Sequence, residues 1–395
     1  MKIGILTYHR PCNFGANLQA FASSQYLSSL GHQVKVIDFV RERDLNYSKT
    51  VPEIQCRAHR FFVETRLSLT AMAKTDIDLQ NIVRQEQFDL IIVGADAVWS
   101  ATNDYPVFFC KWLFDCPELV SRIRVASMSP ADMGGGYRRF SNSIKNDIKN
   151  CLEQFSYVTV RDLWTQKAVN KEIFGGQAFV NSITPDPVSI IDRFVQNETW
   201  NSNGLLPKQY VIMTLTTDWI KSKHLGPRRL AWFNSFKKIV NNAGYMLVEL
   251  PLPEGSSGLD FDKTIPLPFD CIQWYLTIKN AKAYCGIRFH AIVSCIAAGV
   301  PFYSLDTYCK RPQWTMLLDL IGLHSVARTF DEKSKIQNLL RGTGFESFRT
   351  GGNIEFESPA NVGDKIFNCN TDLIKELSAR NQKTFVENIH KMLYE

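Results

Sequence analysis

Two side chains and a helix end, close together in the chain, define the first chemistry this sequence could perform. They lie in Ala283-Tyr284-Cys285-Gly286-Ile287-Arg288-Phe289-His290-Ala291-Ile292-Val293-Ser294-Cys295-Ile296-Ala297-Ala298-Gly299-Val300-Pro301. The pattern predicts a short apolar strand, a tight turn carrying Arg288 and His290, and a small-residue helix from near Ala291 that Gly299 ends. Residues two apart in extended chain point the same way, so guanidinium and imidazole would face one side and Phe289 the other. The helix would aim its open N–H groups and the positive end of its dipole toward that side. Such a convergence suits an anion. The plainer alternative is an Arg288 that caps a carbonyl and a His290 satisfied inside a core. No Asp or Glu occurs from Cys271 to Leu305, which favours the anion site.

Further candidates stand where strands would deliver them. The apolar run Phe88–Val93 ends in Gly94-Ala95-Asp96-Ala97-Val98-Trp99, and ligands of parallel α/β sheets gather at such carboxyl ends, which marks Asp96. Strand Tyr157–Val160 delivers Arg161-Asp162; Asp162 can cap the following helix, leaving Arg161 to reach a ligand or to pair with Asp162 or Asp96. After the opening strand Lys2–Thr7 comes the loop Tyr8–Ala16, in which Gly15 fits either a close backbone approach to a ligand or a tight turn. Asp38 falls where a dinucleotide fold places its ribose-binding acid. The loop lacks Gly-x-Gly-x-x-Gly, however, so that reading is discounted.

The elements that must position these groups alternate strand and helix. A strand at Lys2–Thr7, a helix from about Asn17 to Leu30 closed by Gly31, and a strand at Gln33–Phe39 form a βαβ unit, hence a parallel sheet. The rhythm pauses over residues 41–87, where Arg57, His59, Arg60 and Arg66 interleave with Phe61, Phe62, Leu67 and Leu69. A helix with a solvated basic face over a packed apolar one is expected there, with a lipid-touching helix as the alternative. Thr184-Pro185-Asp186-Pro187 cannot be helical, and the Asn/Ser/Gly-rich stretch Asn197–Pro207 after it marks a domain boundary. The domains are expected at residues 1–195 and 205–370, with a last helix in 371–395. A length of 395 residues suits two such domains.

Composition narrows the function. The chain is 45% hydrophobic and 21% charged with a net charge of +6, without the dense Lys/Arg blocks of a nucleic-acid binder. Ten cysteines show no Cys-x-x-Cys pair and no zinc spacing, so reduced thiols in a cytoplasmic protein and no metal are expected. No apolar run is long enough to span a bilayer and no signal peptide precedes the first strand, so any membrane association would be peripheral.

Taken in order, Cys12-Asn13-Phe14-Gly15-Ala16-Asn17-Leu18-Gln19-Ala20, Gly94-Ala95-Asp96-Ala97-Val98-Trp99, Val160-Arg161-Asp162, Asp186-Pro187 and Gly286-Ile287-Arg288-Phe289-His290 resemble the polysaccharide pyruvyl transferase family, from residue 1 to about Leu323. The resemblance implies two Rossmann-like lobes facing a cleft, as in GT-B glycosyltransferases, with the terminal helix crossing back to the first lobe. It implies transfer of the enolpyruvyl unit of phosphoenolpyruvate (PEP) onto two hydroxyls of a sugar, giving a pyruvate ketal and phosphate. Carried over position by position, His290 and Asp96 are the catalytic candidates, and Arg161, Arg288 and Lys310 the PEP-binding ones. Asn13, Gly15 and Asn17 are acceptor or loop contacts, and PEP is the co-substrate with no other cofactor. The sequence departs from the family pattern at Ile287, where a polar residue is commoner, and at Ala291, where a glycine is. The acceptor expected by family habit is a galactose-type 4,6-diol on a lipid-linked intermediate at the inner face of the membrane. Two alternatives stand beside this reading: a nucleotide-sugar glycosyltransferase using Asp306 on the donor ribose, and a non-catalytic binder of sugars or anions.

Overall fold

The computed structural model describes residues 1–100, 107–132, 136–199, 206–223, 225–307, 334–350 and 354–395. The chain divides into two compact units. Unit 1 comprises Met1–Thr50, Cys56–Phe194 and Arg380–Glu395; unit 2 comprises Val51–Gln55 and Val195–Ala379.

Unit 1 is built on seven parallel strands: β1 (Lys2–Leu6), β2 (Gln33–Phe39), β3 (Leu69–Ala73), β4 (Leu90–Val93), β5 (Arg124–Ser127), β6 (Tyr157–Val160) and β7 (Ser182–Ile183). Their spatial order is β3-β2-β1-β4-β5-β6-β7. The register pairs Ile3 with Leu90 and Ile5 with Ile92. Every residue of β4 is fully buried, which is why that strand reads as an uninterrupted apolar run. Winding runs outward from β1 to β3, returns to β4, and continues the other way. The switch point therefore lies between β1 and β4, where parallel sheets hold their ligands.

Unit 2 repeats the plan with five parallel strands, β8 (Tyr210–Thr214), β9 (Met246–Glu249), β10 (Lys263–Thr264), β11 (Ala283–Gly286) and β12 (Phe302–Ser304), in the order β10-β9-β8-β11-β12. Here the switch point falls between β8 and β11. A capping box of Asp270 and Gln273 opens the helix Cys271–Lys279, and a left-handed Gly299 closes the helix Phe289–Ala298.

The basic segment differs from expectation. A helix spans Glu53–Arg66, and the strand β3 follows it. Gln55, Cys56, His59, Phe62 and Val63 form its buried stripe, whereas Arg57, Arg60 and Arg66 are exposed and Phe61 is 70% exposed. His59 thus belongs to the apolar side and Phe61 to the wet one, as a 3.6-residue period requires.

The last helix, Thr371–Tyr394, straddles the division between the units. In unit 2 its Ser378 hydroxyl donates to the Ala297 carbonyl. In unit 1 the Phe385 ring meets Tyr26 edge-on at 5.3 Å, the Asn388 amide donates to the Ile183 carbonyl, and Arg124 donates to the Met392 and Leu393 carbonyls. Truncating the fully buried Phe385 to alanine should cost about 3–5 kcal/mol in chemical denaturation. Phe61→Ala on the exposed face should change stability by no more than about 0.5 kcal/mol.

Candidate active site

In unit 1 the candidate residues sit at the carboxyl ends of the strands around the switch point. The chain leaves β4 through Gly94 (φ +125) and a cis Gly94–Ala95 peptide, then places Asp96 in the left-handed region (φ +65). A Cβ at Gly94 would collide with the Met128 carbonyl, so only glycine fits. Beside it Ser129 is also left-handed (φ +55), and its hydroxyl donates to the Thr184 and Pro185 carbonyls. Non-glycine residues in this region carry a conformational cost and gather at functional sites.

Arg161 follows β6 and is 3% exposed. Its guanidinium donates to the Asp186 carboxylate (Nη1–Oδ2 3.1 Å) and lies 3.8 Å from Asp96 Oδ1. Burial works against its charge, but Asp186 and Asp96 more than offset that and hold it above its ordinary value. Arg161 is therefore placed as the buried partner of two carboxylates, which differs from the solvent-facing cation expected for an incoming anion. Asp96, at 14% exposure, is the open edge of this cluster. Asp162 caps the helix Leu163–Ala168 through Thr165 N–H, as its position suggested.

The loop after β1 is held by side chains within unit 1. Asn13 caps the helix Phe14–Ser29 by accepting from Gly15 and Ala16 N–H. Asn17 is fully buried, and its amide donates to the His9 carbonyl (2.5 Å) while its oxygen meets His59 Nδ1 (2.6 Å). Asn13, Gly15 and Asn17 therefore shape the loop from inside. His9 Nε2 lies 2.9 Å from Asp38, which also takes two hydrogen bonds from Arg10. Burial raises the Asp38 pKa, but the bonds from Arg10 and His9 outweigh it and bring the group down to about 2. Asp38 is committed to these two side chains, in keeping with the discounted ribose role.

In unit 2 the helix starts two residues earlier than expected. Arg288 is its N-cap, and His290 lies in the first turn. The Arg288 side chain makes no capping bond. A cation at this position faces the positive end of the helix dipole, where Ser, Thr, Asp or Asn would be usual, so the local field is positive. Gly286 is required here, since a Cβ would lie 2.5 Å from the Tyr284 hydroxyl and 2.9 Å from the Thr214 carbonyl. Arg288 is 34% exposed and pairs with Glu254 across 3.5 Å. Glu254 comes from the loop after β9. The fully buried Glu249 holds that loop by accepting from the Ser256 hydroxyl and Ser257 N–H, both at 2.6 Å. Asp306, also buried, accepts from Arg349 at 2.9 Å. Lys310 lies outside the described residues.

Residues 13–307 match the family model for polysaccharide pyruvyl transferases. The chain belongs to the polysaccharide pyruvyl transferase family. Membership makes it a transferase of pyruvyl groups in polysaccharide biosynthesis. No curated protein matches this pyruvyl transferase in sequence. Among solved structures it is similar to the UDP-GlcNAc 2-epimerase of Methanocaldococcus jannaschii, with a TM-score of 0.52, 13% identity, and coverage of 90% of this chain and 98% of that one. It also matches the glycosyltransferase SnogD of Streptomyces nogalater, with a TM-score of 0.45, 10% identity, and coverage of 98% and 96%. The epimerase likeness shows the fold expected, α/β with parallel sheets of the GT-B type.

Two residues at these sites escape a sequence-only reading. Glu254 lies outside the carboxylate-free span, and only the adjacency of β9 and β8 in the sheet places its loop on the side where Arg288 emerges. His59 is hidden among arginines, although its spacing from Cys56, Phe62 and Val63 carries the signal.

Two measurements test this geometry. Arg161→Met removes the guanidinium that compensates the buried Asp186 and should destabilise the protein by about 3–5 kcal/mol in urea unfolding. Burial alone pushes His59 from 6.5 down to about 4. The unfolded ring takes up a proton before the folded one does, so its contribution is complete above pH 6.5 and lost as pH falls to about 4. Unfolding free energy should decline over that window by about 3 kcal/mol, with the slope flattened in His59→Gln.

Proposed function

We propose that this family member transfers the enolpyruvyl unit of PEP onto two hydroxyls of a sugar, forming a cyclic ketal and releasing phosphate. The observation that supports this reading most is the uncapped helix start at the second switch point, with Arg288 as N-cap and His290 in the first turn. A small anion fits there for two reasons: a favourable dipole, and a guanidinium that can hold two oxygens at once. PEP presents a carboxylate and a phosphate. Arg288 takes one of these, and Lys310 is assigned to the other by its place in the sequence.

Reaction begins when the terminal carbon of PEP takes a proton and positive charge develops at the central carbon, where the first hydroxyl attacks. His290 is the proposed acid. Departure of phosphate lets the second hydroxyl close the ring, so one hydroxyl proton ends on the new methyl group and the other on phosphate. Asp96 is assigned to orient the acceptor hydroxyl or take its proton. Arg161 then acts one step back, as the partner that fixes Asp96, and the direct PEP contact expected of it passes to Arg288 and Lys310. Asp306 is engaged by Arg349, which removes the carboxylate that a nucleotide-sugar reading would use.

We assign the acceptor as a galactose-type 4,6-diol on a lipid-linked intermediate. Among the described residues no helix is long and apolar enough to cross a membrane. The exposed Phe61 on the same wet face as Arg57 and Arg60 supports peripheral contact with an anionic surface at the cytoplasmic face.

Phosphate release from PEP across a panel of sugar diols, with product masses showing the ketal, tests the reaction. His290→Ala should lose turnover by roughly 10²–10⁴-fold while still binding PEP. A variant that no longer bound PEP would make the ring part of the anion site instead of the acid.

A further inference from the structure

The junction between the loop after β1 and the helix Glu53–Arg66 contains a histidine whose tautomer the structure determines. The Asn17 amide nitrogen donates to the His9 carbonyl (2.5 Å), which fixes the orientation of the amide. The Asn17 oxygen therefore faces His59 Nδ1 at 2.6 Å, and an amide oxygen can only accept. His59 Nδ1 must carry the hydrogen, and Nε2 of the neutral ring is a bare lone pair. Among the described residues that Nε2 is buried with no hydrogen-bond partner. The ring is held on its other sides: Phe14 packs at 4.8 Å, and one turn earlier Cys56 Sγ lies 3.2 Å from Cys12 Sγ. In the same junction the Gln19 side-chain oxygen is also a buried acceptor without a partner, although the two N–H of its amide are shared among three acceptors, Thr7 Oγ1 and the Tyr8 and Ala16 carbonyls.

Two unmatched acceptors on helices bonded to the loop after β1 suit a ligand rich in O–H donors. We propose that His59 Nε2 is a hydroxyl-recognition site for the sugar acceptor, held in its accepting tautomer by the His9–Asn17 chain. The identity of the ligand rests on the pyruvyl-transfer reading; the tautomer and the vacant acceptor do not. Because burial keeps the ring neutral, His59 accepts a hydrogen bond without carrying a proton, which separates its role from that of Asp96. At 2% exposure the ring is reached only through local opening, so recognition and closure of this junction are coupled.

Nitrogen NMR of the full-length protein labelled in its histidines tests this, with methyl β-galactopyranoside as the probe. The His59 ring should show a protonated Nδ1 and a bare Nε2. The Nε2 resonance should move as sugar is added until the melting temperature stops rising, and should not move with PEP alone. His59→Gln should raise the KM for the sugar about 3- to 10-fold, the worth of one neutral hydrogen bond, with the KM for PEP changed less than about 2-fold. The wild-type spectrum can be read even if that variant fails to fold. An Nε2 that carries the hydrogen, that stays still at saturating sugar because it holds only ordered water, or that meets a sugar which does not bind at all, overturns the proposal. Absence of phosphate release with every acceptor would instead overturn the pyruvyl-transfer reading, and the response of Nε2 to sugar would be read separately.

Discussion

A guanidinium moved out of water is tolerable only with negative partners close by, and unit 1 is arranged around that constraint at Arg161. Its partners come from two different strand ends: Asp186 after β7 and Asp96 after β4, with Arg161 itself after β6. One buried charge thus ties together three strand ends that are far apart in sequence. The unusual backbone follows from the same demand. Asp96 and Ser129 accept left-handed conformations so that the chain can turn back at the sheet edge with its polar groups inward, and Gly94 admits the Met128 carbonyl that a side chain would exclude. Asp96 keeps one side toward solvent, so the cluster presents a carboxylate of fixed position at the switch point.

Unit 2 meets the opposite condition. Arg288 stands at a helix start whose dipole repels it, with Glu254 as a loose counter-charge at 3.5 Å. The same residue type is locked and compensated in one unit and exposed and weakly held in the other. On that difference rests the proposed assignment of Arg161 to positioning and of Arg288 to the ligand.

Much of this was legible in the sequence because it depends on neighbours along the chain. Strand β4 is apolar throughout because it is covered on both faces, Gly299 stops its helix by adopting a left-handed conformation, and Asp162 caps the helix that follows it. What escaped depends on neighbours across space. Arg161 looked open because Asp186 is 25 residues away and reaches it only through the pairing of β6 with β7. Arg288 looked free of carboxylates because Glu254 arrives from another strand. The edge strands β3 and β10 were missed because both are only partly buried and β10 has two residues, so neither carries a strong alternation. His59 was assigned to the wet face because charge is easier to see than helical period.

The straddling terminal helix has a consequence for how the chain is made. Unit 1 is discontinuous: Arg380–Glu395 reach the ribosomal exit only after all of unit 2 has been synthesised. Until then the seven-stranded sheet lacks the ring of Phe385 against Tyr26 and the acceptors that hold Arg124. The portion translated first is therefore the portion completed last, and for the whole of unit 2's synthesis the nascent chain must keep an unfinished apolar surface from associating with its neighbours.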